Sequence, residues 1–412
     1  MDTSYKKLGE GSYACVVSPA LTCNENNENN ENNENNENNE NNNDEVSKVF
    51  TMDDDGVSFT MDLKINNEIN NILLQNGLTR DDIDSHFIIG HECILENTNE
   101  LYTDSTKTDN ICHKNIPRNI KKVINFKNGG MSLYEYYIKN EINYTNSSFD
   151  MFYLLLNSLL NIFQGIDKLN RNGIYHMDLK PQNVLIDKDN IIRISDFGNT
   201  LVESNITEDY NYESHIVSPG YKPPELFTLV NGALYMFVMY LNTSTIKNVK
   251  NIDTINTSDK FKKYFLSLNL NNKEKYEKVD VFSLGIMLME LLSYFNHYSD
   301  YSNVEKNIIE KTNELVDKLT KMNPRERPNS SEALALYNEF LIEFNSIVNS
   351  EVGGKRRKNH KKTRKHIKHK KTRKHKKTRK HKKTRKHKKT IKHIKHKKTI
   401  KHIKHKKTKF IN

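Results

Sequence analysis

Acidic residues are missing from one end of this chain: none of the 58 residues from Lys355 to Asn412 is Asp or Glu, while 32 of them are Lys or Arg. The formal charge of +12 over 412 residues therefore describes neither part of the molecule. The 354 residues before Lys355 carry 32 basic and 52 acidic side chains, a balance of −20. Long apolar runs are also lacking. The two longest, MFYLLLNSLLNIF at 151–163 and LFTLVNGALYMFVMYL at 226–241, fall short of the roughly 20 residues that cross a bilayer. Both are expected to be buried helices, and the second could instead cover a partner-binding surface. The opening MDTSYKKLGEGS has no apolar stretch of the kind that forms a secretory leader. Cysteine is scarce: Cys15, Cys23, Cys93 and Cys112 form no CxxC pair, which excludes a zinc site or a regular disulfide framework as an expectation and favours a reducing compartment. A soluble intracellular protein follows from these absences.

What is present is concentrated in HMDLKPQNVLIDKDNIIRISDFG at 176–198. Transfer of a phosphoryl group needs a carboxylate to orient the attacking hydroxyl, and oxygen ligands to hold magnesium against the nucleotide phosphates. Asp178 and Asn183 share one loop. The run VLIDKDNIIRISD predicts two short strands around an Asp-Lys-Asp-Asn turn, which returns Asp196 opposite that loop.

These motifs resemble those of the eukaryotic-type serine/threonine protein kinase superfamily, and the resemblance runs in order over roughly residues 4–349. It implies an α+β fold of two lobes, a small mainly β lobe at 1–126 and a larger mainly α lobe at 127–349, with a disordered basic tail at 350–412. In LGEGSYACVV, Gly9 and Gly11 stand where backbone approaches phosphates, Ala14 stands where a third glycine often sits, and Val16 falls on the nucleotide. In VSKVF, Lys48 takes the place of the lysine that contacts the α- and β-phosphates, and in the helical KINNEINNILLQNG, Glu68 is its expected ion-pair partner, with Ile72 one turn on facing inward. Leu185 is implied among the nucleotide-binding residues. The resemblance assigns proton acceptance to Asp178, γ-phosphate neutralisation to Lys180, and magnesium to Asn183 and Asp196, so that ATP and Mg²⁺ are the implied cofactors. It makes His176 and Phe197 scaffold, and makes Asp280, opening KVDVFSLGIMLMELL, the anchor of the catalytic loop's backbone. Glu225 in SPGYKPPEL and Arg327 in MNPRERP are the implied buried pair that closes the activation segment.

Lys180 in DLKPQN and Ser218, three residues before Tyr221, are similar to serine/threonine kinases rather than tyrosine kinases. Met177 stands where an arginine commonly pairs with a phosphorylated activation loop, so control by phosphorylation there is expected to matter less. DFGN and a downstream TED at 207–209 are similar to kinases of SR proteins, in agreement with an acidic body that favours basic peptides. The alternatives are a pseudokinase scaffold acting through its tail, and a small-molecule kinase of related fold. The latter would not be expected to keep Lys180, Glu225 and Arg327. The weight of Asn, Lys and Ile resembles the products of AT-rich genomes such as those of large DNA viruses and some protists.

Three segments exceed a minimal domain of this kind. NENNENNENNENNENNENNN, within an insertion at 24–44, has nothing apolar to bury and is expected to be a disordered loop. The segments near 95–119 and 228–275 have no role legible in sequence. The tail repeats RKHKKT at 373–378, 379–384 and 385–390, then IKHIKHKKT at 391–399 and 400–408. With too few apolar residues to stack and no interleaved aromatics, it reads as an extended arm that binds nucleic acid or another polyanion through phosphates. An arm able to fold back on the acidic body would also offer its threonines, Thr363 to Thr408, for self-modification.

Overall fold

The computed structural model describes residues 5–10, 14–24, 44–50, 56–95, 112, 120–136, 148–207, 218–227, 263–264, 266–295 and 302–348. Residues Met1–Phe344 cluster as one compact unit and Asn345–Asn412 as a second. Gly11, nearly all of the Asn/Glu repeat, most of the 228–275 segment and the basic arm lie outside the described residues.

The chain opens with β1 (Lys6–Glu10), β2 (Ala14–Ser18) and β3 (Glu45–Phe50), each antiparallel to the next. Two helices follow, α1 (Val57–Gln75) and α2 (Arg80–His86), and then β4 (His91–Ile94) and β5 (Lys122–Lys127). The five strands form one sheet in the order β1-β2-β3-β5-β4. The middle of the sheet is covered on both faces: a pleated strand sends successive side chains to opposite sides, and Val49 and Val123 lie in one buried cluster while Phe50 and Ile124 lie in another.

Between α1 and α2 the chain reverses at Gly77, whose φ of 87° is the left-handed conformation open to glycine. The α2 start is fixed by a capping box, in which Asp82 N–H donates to the Thr79 hydroxyl and Thr79 N–H to the Asp82 carboxylate.

One face of the sheet packs Cys15, Val17, Leu21, Val49, Cys93, Leu95, Cys112, Ile120 and Val123 into a core. Here the cysteine expectation is corrected. Cys15 is joined to Cys112 and Cys23 to Cys93, across 97 and 70 residues, and no described cysteine is free. The sequence could not show this, because the pairing follows from which residues the sheet brings together and not from spacing.

The second part is mainly helical. The run at 151–163 falls in α3 (Ser148–Ser158) and α4 (Leu160–Arg171), with Phe152, Leu155, Leu156, Leu159, Ile162 and Phe163 at most 2% exposed. No described helix is long and apolar enough to cross a membrane. Short strands then carry the loops of interest: β6 (Met131–Ser132), β7 (Ile174–Tyr175), β8 (Val184–Ile186), β9 (Ile192–Ile194) and β10 (Leu201–Val202). β8 and β9 form the hairpin expected from VLIDKDNIIRISD. Its turn is closed by Asp187, whose Oδ1 accepts from the N–H groups of Asp189 and Ile191 and whose other oxygen binds Arg193 at 2.7 Å. Below lie α5 (Asn272–Tyr276), α6 (Val279–Phe295), α7 (Asn303–Leu319) and a last helix at 330–348.

Candidate active site

Asp280 shapes the central loop. At the start of α6 and wholly buried, it accepts the N–H groups of His176 and Met177, both at 2.9 Å, and the Asn170 side-chain amide at 2.9 Å. Those bonds stabilise Met177 at φ 64°, a conformation that side chains other than glycine rarely adopt. The resulting bend sets Asp178 next to it in the cleft. His176 accepts the Asp178 N–H on Nδ1 at 3.3 Å, which leaves Nε2–H to donate to Ser195 O at 3.1 Å. Its ring also lies 5.2 Å from Phe197, itself 6.2 Å from Phe87. His176 and Phe197 are therefore fully engaged in holding two loops together.

Asp178 is only 3% exposed. Its Oδ2 accepts from Lys180 Nζ at 2.8 Å and from Asn183 Nδ2 at 3.2 Å, and Asn183 also donates to the Asp178 carbonyl at 2.8 Å. Its Oδ1 is buried with no hydrogen-bond partner among the described residues. A buried, unsatisfied carboxylate oxygen is costly, and an incoming hydroxyl would satisfy it. Lys180 Nζ also donates to Ser218 Oγ at 2.7 Å, linking Asp178 to the 218–227 segment.

Across the cleft, Asp196 lies two residues beyond β9 at φ 61°, its side chain 46% exposed. Lys48 on β3 donates to Asp196 Oδ1 at 3.3 Å and to Asp62 Oδ2 on α1 at 2.6 Å. Burial pulls the Lys48 ammonium down, but Asp196 and Asp62 outweigh it and hold it well above the ordinary lysine range. Lys48, opposed by burial, in turn holds the Asp196 carboxyl below its usual range. The donor set, an amide and a carboxylate oxygen facing a cleft, suits a hard divalent cation that takes its other ligands from phosphates and water. Asn183 and Asp196 would hold it, with Lys48 beside them for nucleotide phosphates. Gly9 lies on β1, with nothing within 4 Å of the position a Cβ would occupy; Val16 lies on β2 opposite Lys48, and Leu185 on β8.

Glu68 is not the partner of Lys48. It accepts instead from the Asn205 side chain at 2.9 Å, and the lysine's carboxylate is Asp62. The reason is rotational. Asp62, Asn66, Ile69 and Leu73 form the buried stripe of α1, spaced at three and four residues, and Glu68 falls outside it. Spacing does not single out Asp62, because Ile65, Glu68 and Ile72 repeat at three and four residues as well. Asp62→Ala is expected to weaken nucleotide binding by about 10–100-fold, the scale of a hydrogen bond to a charged group. Glu68→Gln should bind like the wild type, and titration with a fluorescent ATP analogue compares them.

Lys222 also escaped sequence reading. It is fully buried in SPGYKPPEL, its neighbour Tyr221 held to α6 by the Ser283 hydroxyl at 2.8 Å. Burial pushes its ammonium down to about 8, opposed by Asp178 and Asp280 and aided by Lys180. Between about 8 and 10.5 the unfolded chain keeps this proton and the folded chain has lost it, so Lys222 makes stability rise with pH across that window. Lys222→Met should lack that part of the rise, as denaturant midpoints measured against pH would show.

Glu225 and Arg327 complete the frame. Their side chains are 1% and 0% exposed and joined by two bonds, at 2.7 and 3.2 Å. Arg327 also donates to the carbonyls of Lys321 and Lys278 and covers the Phe282 ring.

A five-stranded sheet with a lysine bridged to a helix carboxylate, an Asp-x-Lys-x-x-Asn loop and a DFG turn together have the fold class of a protein kinase domain. Comparison with known proteins agrees. Residues 97–235 match the family model described as protein kinase domain. The chain is 27% identical over 188 residues to "Probable serine/threonine-protein kinase ireA" of Dictyostelium discoideum, covering 43% of this chain and 15% of that protein. It is 30% identical over 149 residues to "Serine/threonine-protein kinase PTK2/STK2" of Saccharomyces cerevisiae, covering 35% and 14%. It is also 30% identical over 67 residues to "CBL-interacting serine/threonine-protein kinase 9" of Arabidopsis thaliana, covering 16% and 15%. The chain spans about one seventh of the length of these relatives. Over the matched residues the chain is similar to the eukaryotic-type protein kinase superfamily.

Proposed function

We propose that this chain is an ATP- and Mg²⁺-dependent protein kinase that transfers the γ-phosphate to serine or threonine hydroxyls. The observation that supports this most is the Asp178 carboxylate: one oxygen is fixed by Lys180 and Asn183, and the other is buried with its hydrogen-bonding capacity unused among the described residues. Asp178 Oδ1 would accept the hydroxyl's hydrogen bond and then its proton as the new P–O bond forms. Lys180, held between Asp178 and Ser218, would neutralise charge on the transferred group. Lys48, fixed by Asp62, would orient the α/β-phosphates. Bound magnesium would supply charge neutralisation at the β- and γ-phosphates, with Asn183 and Asp196 as its protein ligands. The names of the relatives, all serine/threonine kinases, support the acceptor class.

Basic substrates are the preferred class in this reading, because the body carries a balance of −20. The arm at 355–412 would bind nucleic acid or another polyanion, with strong dependence on salt. The test is to incubate the full chain with labelled ATP, magnesium and basic, neutral and acidic Ser/Thr peptides, one of them copied from the arm. Phosphoserine or phosphothreonine, greatest on basic peptides, is the expected product. ATP binding without transfer to any peptide would leave a nucleotide-binding scaffold in its place.

A further inference from the structure

Asp62 does not hold its position unaided. One turn further along the buried stripe of α1, Asn66 is 1% exposed, and its amide nitrogen donates to Asp62 Oδ1 at 2.7 Å and to the Asp62 carbonyl at 2.8 Å. Its amide oxygen accepts the N–H of Gly90 at 2.9 Å. Gly90 lies directly before β4 in a place where a Cβ would collide with the side chains of Ile124 and Phe126, so only glycine lets the backbone come this close. Two residues earlier, Ile88 N–H donates to Ile194 O at 2.8 Å, and Phe87 bridges to the same residue of β9. β9 leads in two residues to Asp196.

The segment 87–90 is therefore bonded on one side to α1 through Asn66, and on the other to the strand that delivers Asp196. The two carboxylates that grip Lys48 are thus held from one short stretch of backbone. We infer that Asn66 is a positioning residue for the nucleotide site: it saturates the second oxygen of Asp62, keeps that carboxylate aimed at Lys48, and ties α1 to the backbone bonded to β9. An asparagine suits the position because it offers a donor to the carboxylate and an acceptor to the peptide N–H from one short side chain. A leucine there would offer neither.

This inference rests on the kinase reading, and the experiment separates the two. Full-length wild type, Asn66→Leu and Asn66→Asp are titrated with a fluorescent ATP analogue and magnesium from about pH 5.5 to 8.5, with thermal melts run alongside. Asn66→Leu is expected to bind about 10–100-fold more weakly, the range for losing a hydrogen bond to a charged group. Asn66→Asp is the sharper variant, and it serves should the leucine variant fail to fold. While the introduced carboxyl is protonated it can donate to Asp62 as the asparagine amide does. When both carboxylates ionise they repel, because like charges at this distance disfavour double ionisation. Lys48 on β3 is the charged group bonded to Asp62, and Asp196 beyond β9 is bonded in turn to Lys48. The variant should therefore bind like the wild type at the acid end and lose affinity as pH rises, while the wild type gains no such limb. A pH profile parallel to the wild type, or an equal loss at every pH, would overturn the positioning role and leave the kinase reading intact. Wild type that binds no nucleotide at any pH would overturn the reading and this inference with it.

Discussion

Asp178→Asn should transfer phosphate about 10²–10⁴ times more slowly than the wild type, the usual cost of removing a positioned base, while melting at nearly the same temperature. The shapes of the two side chains match, so the loop held by Asp280 has no reason to move. The chemistry differs in two ways. Asn cannot take a proton at neutral pH, and its NH₂ group must occupy one of the two carboxylate positions. In the Oδ2 position it would face the donors Lys180 and Asn183. In the Oδ1 position it would present a donor where the acceptor hydroxyl needs an oxygen. Residual ATP binding should be near normal, since Lys48 and Asp62 are untouched. Single-turnover transfer and nucleotide titration on the same preparations check both halves, and an undiminished rate in the variant would remove Asp178 from the mechanism.

Arg327→Ala should destabilise the body by about 3–5 kcal/mol, the range for stranding one member of a buried ion pair. Glu225 would be left in a site where it is 1% exposed, with its two guanidinium bonds gone. The carbonyls of Lys321 and Lys278 would lose their donor as well. Glu225→Ala should cost a similar amount for the mirror reason. Replacing both residues together, by Met at 327 and Leu at 225, is expected to recover much of the loss, because two well-packed apolar groups avoid the uncompensated charge. Equilibrium denaturation of the four proteins provides the comparison. A single variant as stable as the wild type would mean that water reaches the pair.

Asp178 and the Glu225–Arg327 pair were legible in sequence for different reasons. Asp178 is marked by its neighbours: Lys180, Asn183 and the DFG that begins at Asp196 are fixed in spacing because one loop and one hairpin must return them to a common cleft. Glu225 and Arg327, 102 residues apart, were legible only through resemblance, since no local pattern pairs them. The family-model match at 97–235 covers the first kind of signal and omits the small lobe's first strands and helix, where Gly9, Lys48 and Asp62 lie.

Glu68 shows the limit. Along a helix, glutamate and aspartate six residues apart point about 120° away from each other, and either can precede an apolar residue at the right interval. Only the packing of α1 against β4 and β5 selects the stripe containing Asp62 and Asn66. The same limit governs the four cysteines and Lys222, whose partners come from remote strands and loops.

The sequence by itself determined the local chemistry: the Asp178–Asn183 loop, the hairpin that follows it, the absence of a bilayer-length apolar run, and the division of charge between body and arm. Such features depend on residues within a few turns of one another, so spacing encodes them. The tertiary structure alone decided which carboxylate grips Lys48, how the cysteines pair, and that one backbone segment secures both sides of the lysine. Those depend on the rotation of a helix and the register of a sheet, which are set by packing summed over the whole core.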